Sequence, residues 1–373
     1  MRLAGQLARR GYGTTSPNPM VGAVLVKGGE IIGRGWHRRA GLPHAEIEAL
    51  HDAQKHGHHA RGATLYVTLE PCCTHGRTPP CTDAIIANAI RRVVVGATDP
   101  NPKHGGKGFQ ILRRAGIEVV HGILADECMR LNEAFNHWIV HRTPFVTVKA
   151  AMTLDGKIAT AAGESKWITG EKARGFGMKL RQGCDAILVG VNTILADNPS
   201  LTFRAQSAAG AGQSAKPLRR IILDSLARTP LRSKAVTDEM AALTTIVVGP
   251  RASRKRTAAL AKHVNVLVAP LAGSSSPAPR PPALDLSWLL KKLGSEKVTS
   301  LLVEGGGEVN GSFLLGGLTQ RVAFFYAPKI LGGRAARKAV AGDGAKNLGE
   351  VVQLREVAWR KLGEDLLLTA RAD

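Results

Sequence analysis

The chain has 373 residues, too many for one ordinary core, so two domains are expected. An apolar content of 44% suits a globular fold rather than disorder, and no apolar run is long enough to span a bilayer. The net charge of +22 suits nucleic acid or phosphorylated small molecules, yet the one compact basic run, residues 251–256, has no interleaved aromatics to stack bases, so no nucleic-acid partner is expected.

Residues 1–10 read as a helix ended by Gly11. Residues 21–26 and 30–36 read as a hairpin around Lys27-Gly28-Gly29. A helix over 44–54 follows, with His44 and Glu46 in its first turn. Residues 64–69 read as a strand, with Cys72 just past its end. A helix over 82–89 puts Cys81 at or near a helix start, where the dipole favours a thiolate. A strand at 92–96 and a helix at 106–115 continue an alternation that indicates layered α/β structure.

The first domain is set at 1–143 and the second at 144–373. Strands are expected at 145–150, 186–189, 220–223, 245–248, 300–303 and 323–326, with helices between several of them. The segment 352–370 reads as antiparallel strands. The order implies a mostly parallel sheet with antiparallel additions. Segments 205–216 and 272–282, rich in Ala, Gly, Ser and Pro, read as flexible surface loops.

The strongest chemical signal is His44-Ala45-Glu46, followed by Pro71-Cys72 and, after a short polar loop, Pro79-Pro80-Cys81. One imidazole and two thiolates would hold zinc and leave its fourth position open, the arrangement of a catalytic site. Such a metal acidifies a bound water into a nucleophile near neutral pH. Glu46 is free to shuttle protons. The pattern follows the H-x-E … P-C-x-x-C signature of zinc nucleobase deaminases, with eight residues between the thiols here. Cys73 competes with Cys72 as ligand; Cys72 is preferred because it directly follows Pro71.

The other three cysteines make no disulfide framework, and the start Met1-Arg2-Leu3-Ala4-Gly5 lacks the apolar core of a secretion signal. A reducing cytoplasm is therefore expected. Cys128 and Cys184 read as buried small residues. His51, His56, His58 and His59 read as a solvated helix end and loop, because no acid or Cys pattern organises them.

Glu304 followed by Gly305-Gly306-Gly307 ends a strand and opens a helix, where free N–H groups can bind phosphate. The spacing is not G-x-G-x-x-G, so a standard dinucleotide fold is disfavoured.

Taken together, the motifs resemble those of the bifunctional deaminase/reductase family of riboflavin biosynthesis. The resemblance rests on Pro17-Asn18-Pro19-Met20-Val21-Gly22, Gly35-Trp36-His37, Pro43-His44-Ala45-Glu46, Leu69-Glu70-Pro71-Cys72 and Gly76-Arg77-Thr78-Pro79-Pro80-Cys81. In the second half it rests on Thr153-Leu154-Asp155-Gly156-Lys157, Gly163-Glu164-Ser165-Lys166-Trp167-Ile168-Thr169, Ala196-Asp197-Asn198-Pro199-Ser200-Leu201-Thr202 and Val303-Glu304-Gly305-Gly306-Gly307.

The resemblance implies a cytidine-deaminase-like three-layer α/β/α domain followed by a dihydrofolate-reductase-like α/β domain. It implies zinc-dependent deamination of 2,5-diamino-6-ribosylamino-4(3H)-pyrimidinone 5′-phosphate, then NADPH-dependent reduction of the ribosyl side chain. Zinc and NADPH are the expected cofactors. The expected partners are the phosphorylated substrate and further copies of the chain in a homo-oligomer, with no membrane.

By the same resemblance, His44, Cys72 and Cys81 hold zinc and Glu46 is catalytic. Asn18, His37, His75 and Arg77 contact the first substrate; Thr74 stands where the family commonly has a histidine. In the second domain, Ala151, Trp167, Thr193, Asp197, Ser225 and the run Gly306, Gly307, Glu308, Val309, Asn310, Gly311, Ser312 line the NADPH site. Ser165, Arg181, Leu201, Arg204 and Glu304 face the second substrate. Lys149 is the candidate for holding the opened sugar during hydride transfer. The basic group that reads the 2′-phosphate of NADPH is left unassigned.

Two other readings stand beside this one. A zinc deaminase acting on tRNA or free cytidine explains the first half and leaves the second without a role. A non-enzymatic nucleic-acid-binding protein on degenerate domains predicts neither the intact ligand set nor Glu46.

Overall fold

A computed structural model describes residues 1–75, 79–203, 217–273 and 283–372. The expected loop at 205–216 and most of that at 272–282 lie outside the described residues, as do Arg77 and Arg204. The chain divides into two compact units, Met1–Arg142 and Thr143–Asp373.

The first unit opens with α1 (Arg2–Ala8), then β1 (Gly22–Lys27), β2 (Glu30–Trp36), α2 (Ala45–Lys55) and β3 (Thr64–Leu69). It continues with α3 (Cys81–Ala87), β4 (Arg92–Ala97), α4 (Lys107–Arg114), β5 (Glu118–His121), α5 (Ala125–Leu131) and α6 (Glu133–His141). The five strands form one sheet in the order β2-β1-β3-β4-β5. The hairpin is antiparallel, β1 runs antiparallel to β3, and β3, β4 and β5 run parallel.

Alternation along β1 builds the layers. Ala23 and Leu25 point into a core shared with α2, α3 and α4, whereas Val24 and Val26 join α1 on the other face. Gly28 and Gly29 both take positive φ, the demand of a tight two-residue hairpin turn. In β2, a Cβ on Gly33 would stand 2.3 Å from the Ala49 carbonyl, and one on Gly35 2.2 Å from that of Ala45. The missing side chains let α2 lie directly on the sheet, which sets the height of His44 and Glu46.

The second unit carries β6 (Phe145–Thr153), β7 (Lys157–Ala159), α7 (Glu171–Gln182), β8 (Ala186–Gly190) and α8 (Val191–Asp197). Then come β9 (Arg219–Leu223), α9 (Lys234–Thr237), β10 (Thr244–Val248), α10 (Arg254–Ala261), β11 (Asn265–Val268), α11 (Leu286–Ser295) and β12 (Ser300–Val303). The chain closes with α12 (Gly307–Leu315), β13 (Arg321–Ala327), β14 (Arg337–Lys338), β15 (Arg355–Leu362) and β16 (Asp365–Arg371). Nine strands make one sheet in the order β11-β10-β9-β8-β12-β6-β13-β16-β15, parallel up to β13 and antiparallel for the last two. The interior strand β8 is buried at every position, as a parallel strand covered on both faces requires.

Arg220 on β9 is fully buried. Its charge is matched by a two-pronged pair with Asp238 at 2.7 and 2.8 Å, and it also donates to Thr244 Oγ1 and to the carbonyls of Ser200 and Ala235. A buried cation is tolerated when it is paired and its donors are satisfied. Through Ser200 it fixes the loop after α8, where Asn198 and Leu201 take positive φ.

Several elements depart from expectation. His44 sits at the N-cap of α2 with extended backbone, outside the first turn that holds Glu46. β6 runs three residues longer than expected, to Thr153. β5, α5, α6 and β11 were not expected; short half-exposed strands such as β5 and β11 carry little periodic signal.

Candidate active sites

In the first unit, β3 ends at Leu69 and Pro71 prevents its ladder from continuing. Cys72 is thereby turned toward the start of α2. Pro80 caps α3, and Cys81 is its first residue. The backbone N–H of Cys81, one of the free donors at a helix start, points at Cys72 Sγ at 3.3 Å. His44 Nδ1 lies 3.4 Å from Cys72 Sγ and 3.3 Å from Cys81 Sγ. The three ligand atoms all fall within 4.8 Å of one another. Tetrahedral zinc with ordinary bond lengths needs N–S edges of about 3.6 Å, so the donor set fits that metal. Cys73 is not part of this cluster.

The Cys81 thiol, His44 and the Cys81 N–H all donate toward Cys72, which holds its pKa down at about 4. Cys81 shifts upward because its thiol is the donor to Cys72 and because it is buried. Glu46 is buried, only 3% exposed. Burial, reinforced by the charge on Cys72, raises it to about 7. A carboxyl poised there can both take and return a proton.

His37 is buried beside the ligand set, its ring edge-on to that of His44 with centroids 5.3 Å apart. Burial lowers its pKa, which favours the neutral ring. Its Nδ1 faces the Pro43 carbonyl at 3.0 Å and its Nε2 faces Asn18 Nδ2 at 3.1 Å. A carbonyl only accepts, so Nδ1 carries the proton and Nε2 accepts from the Asn18 amide. Asn18 is thereby oriented with Oδ1 as its remaining acceptor. His75 is exposed after Cys73.

Two supports had no assigned role in the sequence. Glu70, buried, accepts from the N–H groups of Asp99, Gly106 and Gly108 at 2.9–3.1 Å. It ties the Pro71-Cys72 turn to the start of α4. Asn132 makes a paired bond with Met20, accepting from its N–H at 2.7 Å and donating to its carbonyl at 2.9 Å, and so pins the loop bearing Asn18. The adjacency of Glu70 to Pro71-Cys72 could have flagged the first. Nothing local could have flagged Asn132, which acts across 112 residues.

In the second unit, a cleft of about 970 Å³ opens past the C-terminal ends of β8, β9 and β12. Open parallel sheets bind ligands at that edge. Ser165, Thr193, Asp197, Ser225, Gly306, Gly307, Glu308, Val309 and Ser312 line it. Gly306 takes φ +76 at the turn into α12, a conformation that favours glycine.

The expected run from Gly306 to Ser312 is split by the helix. Asn310 and Gly311 face away from the cleft: Asn310 is 1% exposed with its amide donating to the Ala339 carbonyl, and a Cβ on Gly311 would stand 1.9 Å from the Ala341 carbonyl. They pack α12 in place and are not among the residues lining this cleft. Ala151 packs with Phe325 and Phe176, also away from the cleft lining. Trp167 is 65% exposed and carries the Arg174 guanidinium over its ring at 4.7 Å.

Lys149 on β6, Arg181 on α7 and Glu304 after β12 form a charged group. Arg181 grips Glu304 with two parallel bonds at 3.0 and 2.9 Å, and Lys149 Nζ lies 3.8 Å from Glu304 Oε2. Burial pushes Glu304 upward, but Lys149 and Arg181 outweigh it and hold its pKa at about 2. The Arg181 fork, expected on a phosphate, is therefore occupied by Glu304; its Nη1 also donates to the Thr202 carbonyl. The Leu201 side chain, expected at the substrate, is buried in the core.

The family model described as cytidine and deoxycytidylate deaminase zinc-binding region matches residues 1–97. That described as RibD C-terminal domain matches residues 144–368. The riboflavin biosynthesis protein RibD of Actinobacillus pleuropneumoniae is 44% identical over 368 residues, covering 99% of this chain and 93% of its own. The Escherichia coli protein of the same name is 39% identical over 379 residues, covering 99% and 97%. Acinetobacter baumannii RibD superposes with a TM-score of 0.86 at 36% identity, covering 100% of this chain and 97% of that one. The Thermotoga maritima diaminohydroxyphosphoribosylaminopyrimidine deaminase/5-amino-6-(5-phosphoribosylamino)uracil reductase superposes at 0.82 with 35% identity and the same coverage.

Proposed function

The chain belongs to the RibD family, and on that footing we propose how its residues divide the work of a bifunctional deaminase and reductase of riboflavin biosynthesis. The observation that carries the reading is the His44, Cys72 and Cys81 cluster with buried Glu46 beside it, in a chain whose second unit holds a separate cleft.

The first unit acts on 2,5-diamino-6-ribosylamino-4(3H)-pyrimidinone 5′-phosphate. His44, Cys72 and Cys81 hold zinc, which when bound supplies an acidified water near neutral pH. Glu46 accepts one proton from the attacking water and passes it to the ring nitrogen, then takes the second from the hydroxyl left on the carbon and passes it to the leaving amine, so ammonia departs neutral. Asn18, its amide set by His37, offers Oδ1 to an N–H of the pyrimidine. His75 and Arg77 reach the phosphate from the loop between the thiols.

The second unit reduces the opened ribose of the deaminated product to ribityl. NADPH supplies the hydride, and the protein contributes orientation and charge. Thr193, Asp197, Ser225 and the start of α12 bind the cofactor, with Trp167 bordering it. Lys149 donates toward the sugar oxygen that gains negative charge, and Glu304, aligned by Arg181, fixes the Lys149 ammonium. Ser165, the Leu201 backbone and Arg204 meet the ribose phosphate.

A homo-oligomer is expected. β15 is the outer strand of the nine-stranded sheet, is exposed along nearly its whole length, and presents Val357 and Trp359 outward. A second copy is the occupant that would cover that face, and sedimentation velocity would read it as a species of at least twice the chain mass. The five cysteines are free thiols, as ligation by Cys72 and Cys81 requires, which suits a reducing cytoplasm. No helix of the described residues is long and apolar enough to cross a membrane.

The substrate assignment is tested by offering zinc-loaded protein the pyrimidine ribotide, cytidine and tRNA in parallel. Ammonia release from the ribotide alone is expected. Release from tRNA instead would replace this reading with an RNA deaminase.

A further inference from the structure

We propose that Arg228 reads the 2′-phosphate that distinguishes NADPH from NADH, a role that rests on the reductase reading of the second unit. The sheet order fixes which end of the cofactor lies where. β9, β8, β12 and β6 are successive neighbours, all parallel, and the cleft crosses the C-terminal ends of the first three. The charged group that meets the sugar stands on the β6 and β12 side, at Lys149 and Glu304. The hydride-donating ring must face that side. The start of α12, directly after Gly305-Gly306, takes the linking phosphates between. The adenosine end is left on the β9 side.

That end has the right surface for it. Leu223, Leu284 and Leu286 give an apolar wall for a flat base, with the Ser225 hydroxyl and the Arg228 guanidinium beside it. Arg228 is exposed, and its partner among the described residues is a neutral one, Asn192 Oδ1 at 3.1 Å. A guanidinium without a carboxylate keeps its charge available to a phosphate, which it can grip with two parallel bonds.

The backbone carrying it is clamped from both sides. Fully buried Asp224 accepts from the Thr229 N–H at 2.6 Å and its hydroxyl at 2.7 Å, and the Asp224 carbonyl accepts from the Ala227 N–H at 3.0 Å. Arg256 donates to the carbonyls of Ala227 and Thr229, the two neighbours of Arg228. Ala227 is held at φ +58, an uncommon conformation for a residue with a side chain. This arrangement pre-organises one arginine at the cleft and lowers the ordering cost of binding. It also gives Arg256, from the basic run at 251–256, a structural role.

Two other cations line the cleft, Arg337 and Lys338, but both belong to β14, which pairs with β7. The Arg337 guanidinium lies against Gly163, on the Ser165 side. Arg337 thus lies toward the sugar end, and the Lys338 backbone stands against Gly307 at the start of α12, where the linking phosphates are placed.

The test uses the full-length chain and its Arg228→Gln, Arg228→Lys and Arg337→Gln variants. NADPH and NADH are compared as reductants of the deaminated substrate, and 2′,5′-ADP is titrated as a competitor of NADPH. Arg228→Gln should raise the NADPH KM and weaken 2′,5′-ADP by about ten- to a hundredfold, the value of a hydrogen-bonded charge pair. NADH kinetics and kcat at saturating NADPH should stay within about twofold, and Arg228→Lys should recover part of the loss. Equal weakening of NADPH and NADH would overturn the proposal, as would loss of discrimination in Arg337→Gln instead. A wild-type chain that oxidises neither cofactor would overturn the reductase reading, and the proposal with it.

Discussion

The two units solve different problems. In the first, the reacting groups are the protein's own side chains, packed within a few ångströms: two thiols, one imidazole and one buried carboxyl, supported by Glu70, His37 and Asn132. In the second, the hydride comes from a cofactor, and the chain provides a long cleft along strand ends with a charged group at one side. Chemistry carried by side chains demands particular residues at particular spacings. Chemistry carried by a cofactor demands mostly shape, backbone and a few charges spread over the fold.

The sharpest way to separate the two is Glu46→Gln. It should lower deamination by about a hundred- to ten-thousandfold while zinc content and reduction of the pre-deaminated substrate stay at wild-type level. Loss of both activities in a folded variant would break the claim that the sites act separately.

A second contrast is acid sensitivity. Glu304 is held at about 2, below the ordinary carboxylate value near 4.5, so its pairing with Lys149 and Arg181 stabilises the fold above that ordinary value. The stabilisation, on the order of 3 kcal/mol, is lost as pH falls from about 4.5 toward 2. Thermal melts of Glu304→Gln against wild type should show the variant flatter across that window. Parallel acid limbs would remove Glu304 from the account.

A smaller effect is expected at Glu70→Gln. The neutral amide keeps a single oxygen, so at least one of the three N–H groups faces an NH2 donor instead of an acceptor, which loosens the Pro71-Cys72 turn. Zinc affinity measured by chelator competition should fall about ten- to a hundredfold, the usual cost of disturbing groups that orient metal ligands. Unchanged affinity would make Glu70 a purely structural cap.

Short spacings, and the prolines that stop β3 and start α3, made His44, Cys72 and Cys81 readable as one group, and the fold brings these three together. The sequence missed the way Asn132 holds Met20, since that contact exists only once the chain has folded. In the second unit the layered parallel sheet was legible from its buried apolar runs. The cleft lining was legible only in part: a contiguous stretch was expected, whereas helical geometry turns Asn310 and Gly311 inward. Arg181 and Leu201 were expected at the substrate from the family resemblance; that the Arg181 fork grips Glu304 and the Leu201 side chain enters the core is set by contacts that exist only once the chain has folded.

The most direct measurement supplies the diaminopyrimidine ribotide to zinc-loaded protein and follows ammonia release and NADPH oxidation together. The account predicts both, with oxidation lagging behind ammonia and absent in Glu46→Gln until deaminated substrate is added. Ammonia without oxidation would contradict it and leave the second unit without the reductase role assigned to its cleft.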